Sequence, residues 1–378
     1  MTCQFNIMRV AGAIGLLAST SVAQQWSAPK SGWLYVLDVG GAEKGGNIFL
    51  VDPREGEIKG ALSTAYHPNF GLSPDGSRLY VIDGPQSSGN LSTFDTQSGK
   101  LVSKVPIPDR VVYTVRPSGA GVGFSADGRW LFVQRMVTVS PGLDEHSLSI
   151  VDARSGKLFS ESVQLPGCGM ARFINWPFGK WDIAAQCSHT NSIRFVSMGD
   201  GASRPKVKDV SLTWARQEAA DGSFVANGQR VTTSTVMDTG RNMVLIMRGG
   251  GGVDQLDAQT LAIEHLAADN WQTWQPPGAV AFSPSAGLVY VGSMAYSQLL
   301  LSSGLMRSIS VRRTNDWTEV ANVRTSLPFS TLALQKDGKI LYTANTGAGS
   351  ITVIDAADLA ETKTIGGLGR PSLILIQP

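Results

Sequence analysis

The sequence predicts an all-β fold, a seven-bladed β-propeller whose last blade is closed by strands from both ends of the chain. Three observations lead there. A hairpin signature recurs, as "FGLSPDGSRLYVID" (Phe70 to Asp83), "VGFSADGRWLFVQ" from Val122, "AVAFSPSAGLVYVG" from Ala279 and "LALQKDGKILYTAN" from Leu332. A second, more polar hairpin follows each copy, so that one unit is four short antiparallel strands in roughly 50 residues, the period of a propeller blade. The two ends of the chain each hold an incomplete unit.

The beginning of the chain reads as a leader. Arg9 precedes the apolar run "VAGAIGLLAST", and small residues around Ala23 offer a cleavage site, which predicts a secretory signal peptide over residues 1–23. The run falls short of the ~18 apolar residues of a membrane span, and no later stretch approaches that length. A retained anchor is the alternative reading of the same run. The mature chain, residues 24–378, is then expected to be one exported, periplasmic propeller domain with no membrane anchor.

Complete units begin near Pro68, Val122, Met170, Val231, Ala279 and Thr331. "SPDG" and the related "SADG" turn the first hairpin of the earliest units, and β-branched and aromatic residues alternate along the hairpin arms. The third strand ends on an aspartate, Asp95, Asp152 or Asp355, before the second turn. The N-terminal fragment "GWLYVLD…NIFLVDPREGEIKGALS" holds three strands and lacks the first; "SLILIQP" (Ser372 to Pro378) is one strand with nothing after it. Joined, they complete a seventh blade and remove the open sheet edges that invite aggregation. An open array of two β-sandwiches leaves this split unit unexplained. Helical signal is confined to "WARQEAADGSF" (Trp214 to Phe224).

The connections differ between the two faces of such a disc. Hairpins joining first to second and third to fourth strands are short. Those joining second to third strands include "GGAEKGG" (Gly40 to Gly46), "MVTVSPGLDEH" (Met136 to His146) and "MAYSQLLLSSGLMR" (Met294 to Arg307). Those between blades include "PIPDRVVYTVRPSG" (Pro106 to Gly119) and the stretch from Gly199 to Gly228. Both long classes emerge on one face, the usual seat of binding on a rigid scaffold; neutral drift in tolerant loops would look similar. The apolar "YSQLLLSSGLM" asks for a cover, such as a partner subunit.

Composition sets limits. The 378 residues are 42% hydrophobic and 16% charged with a net charge of +2, which argues against disorder and gives no reason to expect nucleic acid as a partner. No nucleophile elbow, HExxH, CxxC or phosphate-binding loop is present. "RGGGGVD" (Arg248 to Asp254) is followed by no helical signal and reads as a turn. His67, Arg116 and His189 are the polar residues that could approach the channel mouth on the long-connection face and serve an enzyme such as a propeller lactonase; structural roles compete with that one. No catalytic, cofactor-binding or metal-binding residue is assigned.

Removal of the leader takes Cys3 and leaves Cys168 and Cys187. If the turn "PFGK" pairs Trp176 with Trp181, these cysteines fall almost opposite each other with a small register offset. A structural disulfide is expected in an oxidising compartment, with a redox-active pair as the alternative.

Three stretches resemble the heavy (large) subunit of the quinoprotein amine dehydrogenases, the methylamine and aromatic-amine enzymes. They are "WLYVLD…IFLVDPREGEIKGALSTAY…LSPDGSRLYV", the cysteine hairpin "LPGCGMARFINWPFGKWDIAAQC", and "DNWQTWQPPGAVAFSPSAGLVYV". The resemblance covers nearly the whole mature chain at low identity. The D-G hairpins are also shared with other propellers, including the YVTN repeat proteins. The resemblance implies a periplasmic assembly that oxidises primary amines. The tryptophan-derived quinone would then sit on a small, cysteine-rich light subunit, and electrons would pass to a blue copper protein. This chain would seat that subunit and carry no cofactor itself. Two places depart from the family. "GGAEKGG" lacks the aromatic side chain that the family offers to its substrate channel, and "DGPQSSGN" is short where the family has a longer, charged loop. A stand-alone periplasmic propeller, binding a ligand or protein without catalysis, is the other reading.

Overall fold

The computed structural model describes residues 26–39, 45–65, 68–83, 89–108, 110–111, 122–140, 143–166, 168, 171–187, 192–199, 204–212, 234–247, 253–266, 279–293 and 306–378. They form seven antiparallel sheets arranged as the blades of a ring, with no helix among them. Blade 1 is Asn69–Leu72, Arg78–Asp83, Gly89–Asp95 and Leu101–Ile107. Blades 3 to 6 repeat the plan from Ala171, Ser234, Val280 and Thr331, close to the starts expected from the repeats. The predicted leader and the helical signal at Trp214 to Phe224 lie outside the described residues.

Blade 7 closes the ring as the split unit requires. Pro371–Ile376 takes the innermost position and pairs antiparallel with Leu34–Asp38, with Tyr35 opposite Leu375. Asn47–Asp52 and Glu57–Ser63 then complete the sheet. Main-chain bonds from Gln377 N to Trp33 O (2.8 Å) and Gly32 N to Gln377 O (2.9 Å) extend the seam beyond the ladder.

The cores lie between blades. Seven hydrophobic clusters each straddle one pair of neighbours. Period-two alternation explains the arrangement: Leu34 and Val36 face blade 6, while Tyr35 and Leu37 face blade 1. A strand buried on both faces is apolar wherever no partner meets its polar groups, and "LYVLD" is buried at every position, with its one charged residue, Asp38, hydrogen-bonded. Each blade therefore depends on its neighbours for burial.

Blade 2 departs from the expected plan. "MVTVSPGLDEH" was expected as a connection, but its arms are strands: Trp130–Ser140 pairs with Leu143–Asp152 through Thr138 opposite Asp144 and, after a register shift, Ser140 opposite Leu143. The ladder continues past the blade edge, so the described arms of this segment form an extended antiparallel pair. The outer edge of the blade is broken into Lys157–Leu158 and Val163–Gln164.

The cysteine hairpin also has a different register. Asn175 pairs with Ile183 and Ala171 with Cys187, so Cys168 stands outside the ladder, in the connection before the strand. That connection turns back on itself, Cys168 N donating to Leu165 O over 3.1 Å. Its cysteine thereby meets the end of the second strand, and Cys168 and Cys187 are disulfide-bonded with Cα atoms 4.9 Å apart. The bridge fastens the blade 2 to blade 3 connection to the core that those blades share.

Candidate functional site

The second strands of the blades end at the long-connection face, and polar residues occupy several of those ends. Asp38 in blade 7 and Asn345 in blade 6 hold equivalent positions after "LYVL" and "LYTA". Both are buried. Asp38 accepts hydrogen bonds from the main-chain N–H groups of Gly369 and Arg370, each 2.8 Å long, and so fixes the entry into the closing strand. Asn345 donates to Thr352 Oγ1 (2.7 Å) and Ser350 Oγ (3.3 Å) and accepts from Thr343 Oγ1 (3.1 Å). A buried amide is stable only when its groups are met in this way.

Further hydroxyls continue the frame. Thr346 Oγ1 donates to Pro371 O (2.6 Å) and lies within hydrogen-bond distance of Ser330 Oγ (2.9 Å), linking the short connection of blade 6 to the start of blade 7. In blade 2, Arg135 Nε donates to Ser147 Oγ (2.7 Å) and Arg135 Nη2 to Ser162 Oγ (2.9 Å). Gln134 Oε1 accepts from Ala171 N (2.8 Å), and Gln134 Nε2 lies 3.2 Å from His146 Nδ1. These side chains hold connections in place. The groups that could meet a ligand on this face therefore belong to the connections themselves.

On the opposite face, carboxylates are consumed by the turns. Asp75 accepts from Ser73 Oγ (2.6 Å) and Ser77 N (3.0 Å), and the Ser73 hydroxyl holds its carboxyl below the usual range. Asp95 accepts from Ser98 Oγ (2.8 Å) and N (2.9 Å), with the same effect. Asp257 is lowered by the N–H of Thr260, which donates over 2.7 Å. Asp182 behaves oppositely, because its partial burial raises it against the bond it accepts from Met198 N. Carboxylates bound in this way are poor candidates for proton transfer.

The sequence candidates fare unequally. His67, Arg116 and His189 lie outside the described residues, as do most of "RGGGGVD", the tryptophan–proline–glycine segment up to Gly278 and the apolar stretch before Met306. Cys168 and Cys187 are joined. Sequence reasoning overlooked Asp38 and Asn345 as anchors of the long-connection face. The signal was present, because "YVLD", "YVID" and "YTAN" close the same strand with Asp38, Asp83 and Asn345. Among the described residues no group of three or more His, Cys, Asp or Glu side chains is placed to hold a metal ion.

No protein-family model matches the sequence, and no curated protein matches it at a significant level. Solved structures do. A functionally unknown protein from Desulfotomaculum acetoxidans is 16% identical with a TM-score of 0.64, covering 92% of this chain and 99% of its own. The periplasmic gluconolactonase of Pseudomonas aeruginosa is 17% identical with a TM-score of 0.61, covering 91% of this chain and 99% of its own. A dihydro-heme d1 dehydrogenase is 14% identical with a TM-score of 0.59, covering 95% of this chain and 78% of its own. At these identities the likeness establishes the propeller fold.

Proposed function

We propose that this chain is an exported binding propeller, which holds a ligand or a protein partner on its long-connection face and has no catalytic group of its own. The observation that carries this reading is the contrast between the faces. Asp38, Asn345 and Thr346 tie down the base of the long-connection face, while the opposite face is closed by short, internally bonded turns. A rigid frame carrying long connections on one side is the usual design of a binding scaffold.

A second reading refines the first and is favoured by one observation, the disulfide within "LPGCGMARFINWPFGKWDIAAQC". In it the chain is the heavy subunit of a periplasmic amine dehydrogenase. Its partner is a small cysteine-rich light subunit bearing a tryptophan-derived quinone, and a blue copper protein accepts the electrons.

Native mass spectrometry of the protein recovered from the periplasm tests both. A bound small molecule or protein supports the binding scaffold. A small cysteine-rich subunit with quinone absorbance supports the amine dehydrogenase. Turnover of a sugar lactone or an amine by the bare protein would overturn the absence of catalysis, and bare, inert protein would overturn the partner-bound assembly.

A further inference from the structure

The opposite, short-turn face carries a pocket of about 180 Å³ between blades 6 and 7, away from the face assigned to binding above. It is smaller than the roughly 300–1,000 Å³ of pockets for drug-sized ligands, so its occupant is small. Tyr342 lines it and is 1% exposed. Tyrosines recur at this blade position, and two of them find partners: Tyr290 Oη donates to Ala356 O (3.2 Å) and Tyr35 Oη to Gln377 Oε1 (3.0 Å). The Tyr342 hydroxyl has no hydrogen-bond partner among the described residues. Burial pushes it up to about 12, so it is a protonated donor at neutral pH.

The rim supplies charge. Arg54 and Lys339 line the pocket, both exposed, and neither forms an ion pair among the described residues. Asp337 uses one carboxylate oxygen to accept from Lys339 N over 3.0 Å. Arg54, Asp337 and Tyr342 all line this pocket, which places rim and floor in one site. Gly32 shapes the wall. Its φ of +83° suits glycine, and a Cβ there would stand 2.5 Å from Gln335 Nε2, so glycine lets that amide lie against the turn.

We propose that this pocket binds a small hydroxy-carboxylate, with Arg54 and Lys339 holding the carboxylate, Asp337 accepting from a hydroxyl, and Tyr342 donating to an oxygen at the inner end. Two free cations select an anion, and one acceptor beside them selects a ligand that also carries a donor. The phenol opens on the pocket, where its hydroxyl can donate to a ligand oxygen.

Titration calorimetry of the full chain tests this with D-gluconate and L-tartrate as probes and D-glucose and inorganic phosphate as controls. At least one hydroxy-acid is expected to bind, with D-glucose more than tenfold weaker. The exposed double variant R54Q/K339Q is expected to weaken binding by about tenfold or more, as for loss of charge-assisted hydrogen bonds. Tyr342→Phe, which keeps the packing, is expected to weaken it by about fivefold. Absence of binding by both hydroxy-acids, binding unchanged in R54Q/K339Q, or phosphate binding as tightly as the hydroxy-acids would each overturn the assignment.

Discussion

Tyr35 and Gln377 stand 342 positions apart in the chain and share a buried hydrogen bond, Tyr35 Oη donating to Gln377 Oε1 over 3.0 Å. Gln377 Nε2 in turn donates to Gly76 O (3.3 Å), in the first turn of blade 1. One side chain near the end of the chain thus joins the closing blade to the blade after it. Gln377→Ala would leave the buried Tyr35 hydroxyl without its acceptor, while Gly76 O keeps the shorter bond from Thr96 Oγ1 (2.8 Å), a loss of about 1–3 kcal/mol. Urea unfolding should show a lower midpoint with an unchanged slope; an unchanged midpoint would assign closure to the main-chain seam alone.

The disulfide ties the blade 2 to blade 3 connection to a strand end 19 residues later. Closing a loop of this size contributes about 3 kcal/mol in the chain-entropy model. The C168S/C187S double variant should unfold at a lower temperature by that measure, and the reduced native protein should match it. A thermal midpoint insensitive to reductant would contradict this.

Trp26 lies across the seam of blades 7 and 1. Its Nε1 donates to Thr96 O over 2.8 Å, and its ring stacks on Tyr35 with centroids 6.3 Å apart. Gly99 makes room for it: φ is +65°, and a Cβ would fall 2.5 Å from Trp26 Cγ. At Gly179, with φ +80°, a Cβ would meet nothing within 4 Å. Gly99→Ala should therefore destabilise clearly more than Gly179→Ala, whose cost is backbone strain alone, about 1 kcal/mol. Equal thermal shifts for the two variants would show that Trp26 is not held there.

Acid sensitivity follows from the turns. Asp75, Asp95, Asp257 and Asp316 are all held below the ordinary carboxyl value of 3.8, so the unfolded chain takes up protons first as pH falls. Their contribution is complete above that value and is lost as pH drops through the lower folded values. Stability should be flat near neutrality and begin to fall as pH drops below about 4. Asp182 has the opposite sign, because burial raises it and its ionised form costs stability at neutral pH. Asp182→Asn keeps an acceptor for Met198 N and should leave neutral stability equal or higher. Chemical denaturation across pH distinguishes the two behaviours.

The repeats were legible because their cues are local. An aspartate–glycine turn and period-two alternation act within about ten residues, so the blade starts near Pro68, Val122 and Thr331 could be read directly. The split blade was legible because a three-strand fragment at one end and a single strand at the other have one economical solution, and Tyr35 opposite Leu375 is that solution. The anchoring roles of Asp38 and Asn345 were less visible, since their partners include Gly369 and Thr352, which the sequence does not mark as neighbours.

By itself, then, the sequence determined the number of blades, the closure and the proximity of Cys168 to Cys187, all set by turn chemistry and alternation. Only the tertiary structure decided the hairpin register that leaves Cys168 outside the ladder, the extension of the arms on either side of residues 141–142 into strands, and the Tyr342 phenol lining a pocket between two blades. The reason is physical. Hairpin geometry is governed by residues adjacent in the chain, whereas the gap between blades is set by how side chains from distant segments fill it. Tyr35, Tyr290 and Tyr342 hold the same place in the repeat, and the neighbouring blade decides which of them finds a partner.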